Sequence, residues 1–346
     1  MSSRSHVVLD AVGAGAVAVP TAGRTAGSLG RDVLRGGGPL LLLVVLCIGL
    51  TIVQPQFATT SNLITILNQA AVPLVVACGM TVVILMGSID MSTEGVMATV
   101  GVATSLLVAN TTNGLDLGLV GVLAALAIGA TFGAVSGLLV TRLRIPSLMV
   151  TLGMWFVGLG LASLLYPARQ SGIEDEGLRA LALVRVGGLT LNFFLALAVV
   201  AILFAALRWS AFGRTVYGIG GGEPQLLLAG VRVSRYKIGA FAISGVCAAL
   251  AGVMITAQIG LGSPTAGYDQ LFPAISAVVI GGTLLSGGRG GILHTVVGVM
   301  TLVVLRNGML LVGIDPYLQQ AVIGVALVVI VAAATWRERG RLRAIK

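Results

Sequence analysis

Residues Arg208–Lys237 read RWSAFGRTVYGIGGGEPQLLLAGVRVSRYK and lie between two long apolar runs. Five of the chain's 21 lysines and arginines fall here: Arg208, Arg214, Arg232, Arg235 and Lys237. In a chain that crosses a membrane, short loops rich in Lys and Arg stay on the cytoplasmic side, so this stretch is expected to face the cytosol. Within it, Gly220-Gly221-Gly222 interrupts any continuing helix. Glu223 and Pro224 then mark a new helix start, with an acid near the positive end of the dipole and proline in the first turn. Gln225, Leu226, Leu227, Leu228 and Ala229 supply one or two turns before Gly230 ends them. The expected element is a short helix lying along the cytosolic surface.

The composition on either side sets the class. Hydrophobic residues make up 57% and charged residues 10% of 346, and the mean hydropathy is +1.04. Soluble domains do not reach this balance, so the chain reads as an all-α membrane protein that crosses the bilayer many times. The pI near 10.3 reflects basic residues spread over loop ends, which mark topology and not a nucleic-acid surface. Cys47, Cys78 and Cys247 all fall within apolar runs, with no disulfide framework and no metal spacing. No cofactor is expected.

Residues 1–38 are rich in Gly, Ala and Ser and read as a flexible cytosolic tail. From Pro39, ten apolar spans follow: 39–54, 63–86, 95–109, 117–140, 147–165, 191–207, 238–259, 273–285, 292–312 and 318–335. They make a transmembrane domain over 39–336, interrupted by the loop 208–237 and followed by a basic cytosolic tail over 337–346. An even number of spans returns both termini to the cytosol. The charges agree, with seventeen Lys and Arg in inside segments against three (Arg169, Arg179, Arg185) in outside ones.

The 49 glycines suit close helix approach in lipid, and Gly129, Gly133 and Gly137 stand four apart on one face of the fourth span. Spans three and eight are short: fifteen and thirteen residues rise only ~20–23 Å, too little for a ~30 Å hydrocarbon core. Short, glycine-bounded segments in both halves mark a substrate path in transporters. A faint repeat points the same way. Gly87-Ser-Ile-Asp-Met-Ser-Thr-Glu-Gly95 and Gly282-Thr-Leu-Leu-Ser-Gly-Gly-Arg-Gly290 have equal length, and Val-Val-Ile precedes both. Glu94 and Arg289 occupy the same slot in the two turns with opposite charge, which makes them a candidate ion pair at a cytosolic gate. Arg306 and Asn307 interrupt the outer third of the ninth span, where a lipid-facing charge costs ~2.5–3.5 kcal/mol. They are expected to face a wet cavity or a protein partner.

Several function classes drop out. A phosphate-binding loop needs a lysine directly after its last glycine. The two lysines follow Tyr236 and Ile345, so the chain is not expected to bind ATP in that way. No paired carboxylates, HExxH or nucleophile elbow lies in a span, and no span centre carries an acid of the kind that couples proton or sodium flow. Energy for transport should therefore come from a separate subunit, and a short surface helix is what such a subunit would push on.

As a set, Gly87-Ser-Ile-Asp90-Met-Ser92, Gly213-Arg214, Gly221 to Gly230, Ser263-Pro-Thr-Ala-Gly267, Ala277 to Gly290, and Arg306 to Gly313 followed by Gln319-Gln320 resemble the ribose-type sugar permeases of bacterial ABC importers. The resemblance runs from about residue 60 to 335. It implies a ten-span permease of the vitamin-B12-importer type in the bacterial inner membrane, two copies per transporter, homodimeric or heterodimeric. It implies an extracytoplasmic sugar-binding protein and a cytosolic ATPase with two nucleotide sites as partners. It also makes Glu223 to Gly230 the coupling helix. Asp90, Glu94, Arg289, Arg306 and Asn307 are the candidates for the gate or path. Gly222, Gln225 and Leu227 replace the family's usual Asn, Ala and Arg, and Glu94 is like related nucleoside permeases. A nucleoside or branched-chain amino acid permease of the same superfamily therefore stays open, as does an ATPase-independent carrier or channel.

Overall fold

The computed structural model describes residues 37–167, 170–315, 318–319, 321–325 and 328. The first described helix, α1 (Gly38–Val53), leads through a short 3-10 turn (Pro55–Ala58) into α2 (Thr60–Ile84). Then come α3 (Thr93–Leu107), α4 (Gly118–Arg142), α5 (Ser147–Leu165) and the small α6 (Glu176–Leu183). A two-stranded hairpin, β1 (Arg185–Val186) and β2 (Leu189–Thr190), precedes α7 (Leu191–Trp209) and α8 (Ala211–Leu228). Then follow α9 (Val233–Ile259), α10 (Leu271–Ile280) and α11 (Ile292–Leu311), and the described residues among 318–328 are helical as well.

Six of these helices are long and apolar enough to cross a membrane: α2, α4, α5, α7, α9 and α11. Three more, α1, α3 and α10, are apolar but shorter. The ten-residue α10 rises only ~15 Å, about half a bilayer core. Nine expected spans thus coincide with apolar helices, while the tenth, 318–335, lies largely outside the described residues. So do the expected tails over 1–38 and 337–346, apart from Gly37 and Gly38, and Arg169 and Gln320.

The helices form two classes by burial. In α2, 78% of the apolar window is covered by protein, against 22% in α5. An apolar helix covered mostly by protein lies toward the bundle centre, as α2 does and, at 61% each, α9 and α11, while the short α3 is buried from Thr93 to Ser105. The glycines of α4 explain how α9 is gripped. A Cβ on Gly137 would lie 2.7 Å from Cα of Ile238, and one on Gly129 would lie 2.5 Å from the Gly245 carbonyl oxygen. One on Gly133 would overlap the Phe241 carbonyl. The seam expected from the four-residue spacing is therefore a backbone-to-backbone contact. On the other side of α3, Gly95 and Gly158 touch in the same manner, and Thr99 donates from its hydroxyl to the Gly158 carbonyl at 2.7 Å.

Between α5 and α7 the sequence reading left a plain outside segment. The structure places α6 and the hairpin there. Asp175 caps α6 by accepting from Leu178 N–H at 2.6 Å. Gly187 and Gly188, with φ of 61° and 87°, make the two-residue turn, since both central positions need positive φ.

Candidate functional site

At the end of the bundle opposite the hairpin, the two glycine-bounded turns meet. Gly288 N–H donates to the Leu85 carbonyl at 2.9 Å, joining the turn after α10 to the turn after α2. Gly220 of α8 wedges between them, and a Cβ there would overlap the Leu85 carbonyl and Gly288 nitrogen. Tyr217, one turn earlier, donates to the Gly290 carbonyl at 3.0 Å. Three chain segments thus touch through their backbones, which only glycine at the contact allows.

The same end carries the surface helix. Gly222 takes extended φ (168°) and splits α8 into an upstream part and a short helix from Glu223. The break thus sits at Gly222, while Gly220 and Gly221 remain helical. The short helix ends in a paired C-terminal lock. Gly230 (φ 77°) donates to the Leu227 carbonyl and Val231 to the Leu226 carbonyl, both at 3.0 Å. Leu227 and Leu228 are 56% and 90% exposed, and they lie outside the helices long and apolar enough to cross a membrane. Glu223 is tied to Lys237 at the start of α9, with Nζ 2.7 and 2.8 Å from the two carboxylate oxygens. This pair is half-exposed, so it orients the helix more than it stabilises the fold. A cavity of about 760 Å³ opens beside it, walled by Arg144, Pro146, Leu227 and Arg232.

Asp90 and Glu94 lie on the connection into α3, both buried. The Asp90 Oδ1 accepts from Ser92 N–H at 3.0 Å and from the Ser92 hydroxyl at 2.6 Å, bending the chain into the helix start. The Glu94 Oε1 accepts from Leu271 N–H at 3.0 Å, across 177 residues of sequence. Leu271 opens α10 and Glu94 stands in the first turn of α3, so the N-termini of the two short helices meet at one carboxyl group. Both helix ends leave unsatisfied N–H donors and positive partial charge, which an acidic side chain complements. The structure does not bring Glu94 and Arg289 together. Arg289 is exposed on the turn after α10, and among the described residues Glu223–Lys237 is the ion pair present.

Arg306 and Asn307, adjacent in α11, face different surroundings. Asn307 is buried and exchanges amide hydrogen bonds with Asn62 of α2, at 3.0 and 2.9 Å. Arg306 is exposed and lines a second cavity of about 610 Å³. This cavity lies between α2, α9, α11 and the loop into α10, near the hairpin, whose Gly188 carbonyl and Thr190 N–H bond Asn68 of its wall. Gln270, next in chain to the Leu271 that Glu94 holds, also lines it. Sequence reasoning missed Gln69, Gln258, Gln270 and Tyr268 in this wall, because single polar residues at span ends carry no spacing signal.

The family model for the branched-chain amino acid transport system / permease component matches residues 62–331. The chain belongs to this permease family. The match runs from α2 through α11, so both cavities, both short helices and the surface helix lie inside it. Among its relatives, the ribose import permease proteins of Escherichia coli and Bacillus subtilis are each 34% identical. Those matches cover 84% and 86% of this chain and 91% and 92% of theirs. The L-arabinose transport system permease protein of Escherichia coli is 34% identical over 88% of this chain and 92% of its own. The fructose import permease protein of Rhizobium meliloti is 34% identical over 86% and 84%. No solved structure matches the chain.

Proposed function

We propose that this chain is the membrane permease subunit of an ABC importer that moves a monosaccharide into the bacterial cell. The observation that carries the reading is the set of relatives, named as ribose, arabinose and fructose permeases, each aligned over most of both chains. A separate cytosolic ATPase drives it and an extracytoplasmic binding protein feeds it. The permease domain over 39–336 has ten spans in the vitamin-B12-importer arrangement, pairs with a second permease, and leaves both termini in the cytosol. The turn end of the bundle is then the cytosolic face, in keeping with Arg144, Arg232 and Lys237 there. Glu223 to Gly230 forms the coupling helix, whose exposed Leu227 and Leu228 enter the ATPase. The path runs from the Arg306 cavity past Asn307, the Glu94–Leu271 junction and Asp90 to the turn that carries Arg289.

A second reading has one observation in its favour, since the family model itself is described for branched-chain amino acids. Cells expressing or lacking the chain decide between them. Chain-dependent uptake of D-ribose, L-arabinose or D-fructose supports the sugar reading. Chain-dependent uptake of leucine with none of the sugars overturns it.

A further inference from the structure

The polar residues around the 610 Å³ cavity divide into two groups. Asn68 and Asn307 spend their amides on the protein: Asn68 on Gly188 and Thr190 of the hairpin, Asn307 on Asn62. Gln319 donates to the Ile314 carbonyl. Gln69, Gln258, Gln270, Tyr268 and Arg306 are different. Among the described residues, none of these five makes a side-chain hydrogen bond or ion pair, and all line the same space. They come from α2, α9, the loop into α10, and α11, so four separate segments converge there.

Thr265 is bonded to Ser263, and the remaining lining residues, Val72, Pro73, Ile255, Ile259, Ala266, Val303 and Leu310, are apolar. Amide and guanidinium donors, a tyrosine ring and an apolar floor together match a molecule with hydroxyls on its edge and C–H bonds on its face. The volume lies within the ~300–1,000 Å³ of small-molecule sites. Arg306 is the one charged side chain among the described lining residues, and no carboxylate stands there to receive an ammonium group. That favours a neutral polyhydroxylated ligand over an amino acid.

We propose that this cavity is a binding site of the permease itself for a neutral monosaccharide in transit. Gln69, Gln258, Gln270 and Arg306 hold its hydroxyls, and Tyr268 covers its apolar face. The inference rests on the sugar-importer reading and adds that the permease, beyond its binding protein, recognises the sugar directly. Release follows when the wall contributed by Gln270 moves with the start of α10.

The test uses the full chain in lipid nanodiscs, with Cys47→Ser as background because Cys78 and Cys247 are buried. Leu310→Cys places a thiol on an exposed cavity wall position, for labelling by a charged maleimide. D-ribose, L-arabinose and D-fructose are each compared with betaine at equal osmolality. The expected result is several-fold slower labelling with at least one sugar and none with betaine. Arg306→Ala should raise the sugar concentration for half protection by roughly tenfold or more, as for loss of a hydrogen bond to a charged group. Protection is taken relative to each variant's own sugar-free rate, an SDS-unfolding titration matching that of the Leu310→Cys parent shows the fold is intact, and Arg306→Lys should recover part of the affinity. A parallel uptake assay separates the failures. If cells take up a sugar through the chain but that sugar gives no protection, the site is refuted and the importer reading stands. Protection that survives Arg306→Ala together with Gln258→Ala also refutes it. If no sugar is taken up and none protects, both fall.

Discussion

Removing the Glu94 carboxyl group tests whether the two short helices are held together at their starts. Glu94 is 6% exposed and Leu271 fully buried, so Glu94→Ala deletes the acceptor of a buried N–H. The first N–H groups of α10 have no acceptor within the helix. An orphaned buried donor costs about 1–3 kcal/mol, and losing an acidic group at a helix start adds about 0.3–1 kcal/mol. The expected destabilisation is therefore about 1–4 kcal/mol, read from SDS-titrated unfolding of the purified protein by tryptophan fluorescence. Glu94→Gln keeps an oxygen acceptor at the same reach and should lose less than about 1 kcal/mol. Glu94→Met fills the space without accepting, and should resemble the alanine variant if the hydrogen bond is what matters. Equal stability of wild type, Ala and Met would refute the junction. Equal loss in Gln and Met would assign the effect to charge or shape instead of to the bond.

Three further outcomes follow from the same geometry. Gly133→Ala puts a methyl group onto the Phe241 carbonyl, so α4 and α9 must part, at a cost of about 1–3 kcal/mol; the unfolding titration should show it, while Gly153→Ala, with open space around it, should not. Asn62→Ala, Asn307→Ala and the double variant form a cycle whose coupling should be about 0.6–1.7 kcal/mol, typical of amide pairs between membrane helices; a coupling of zero would make the pair incidental. Replacing Leu227 and Leu228 by Asp leaves the membrane-embedded core untouched, so insertion and unfolding should match wild type while sugar uptake is lost. Undiminished uptake would refute the docking role of that helix.

Much of the fold was legible because lipid imposes a strict rule. Every backbone group must be paired within a helix, so apolar runs and helices coincide with little freedom. Gly129, Gly133 and Gly137 announced a seam through their spacing alone, since four residues return to the same face. Gly222, Pro224 and Gly230 announced the surface helix because each has a conformational reason to stand there. The elements that escaped notice were signalled by short-range chemistry inside a polar segment. Asp175 ahead of Glu176 is an N-cap, and Gly187-Gly188 between Val186 and Leu189 is a hairpin turn. Both signals are present in the sequence, inside the connection 166–190, where no apolar periodicity frames them. The cavity wall was not legible in any such way. Arg306 stands out as a charge inside an apolar span, but its partners Gln69, Gln258 and Gln270 come to it from three other segments, which no local pattern records.

The Glu94–Arg289 pairing shows how a sequence correspondence can hold for the backbone and fail for the side chains. The two turns do meet, through Gly288 N–H and the Leu85 carbonyl, as equivalent turns of a repeat would. Yet the helices around them differ. The first turn follows the 25-residue α2 and opens the 15-residue α3, while the second follows the ten-residue α10 and opens the 20-residue α11. In the first case the chain doubles back into the bundle before helix resumes, which carries Glu94 inward. In the second, Gly287, Gly288, Gly290 and Gly291 keep positive φ and hold the chain as a loop until Ile292, so Arg289 stays at the surface. A carboxyl group carried inward needs donors there, and the nearest are the unpaired N–H groups at the start of α10. The side chain that looked like half of a surface ion pair therefore joins the starts of two short helices.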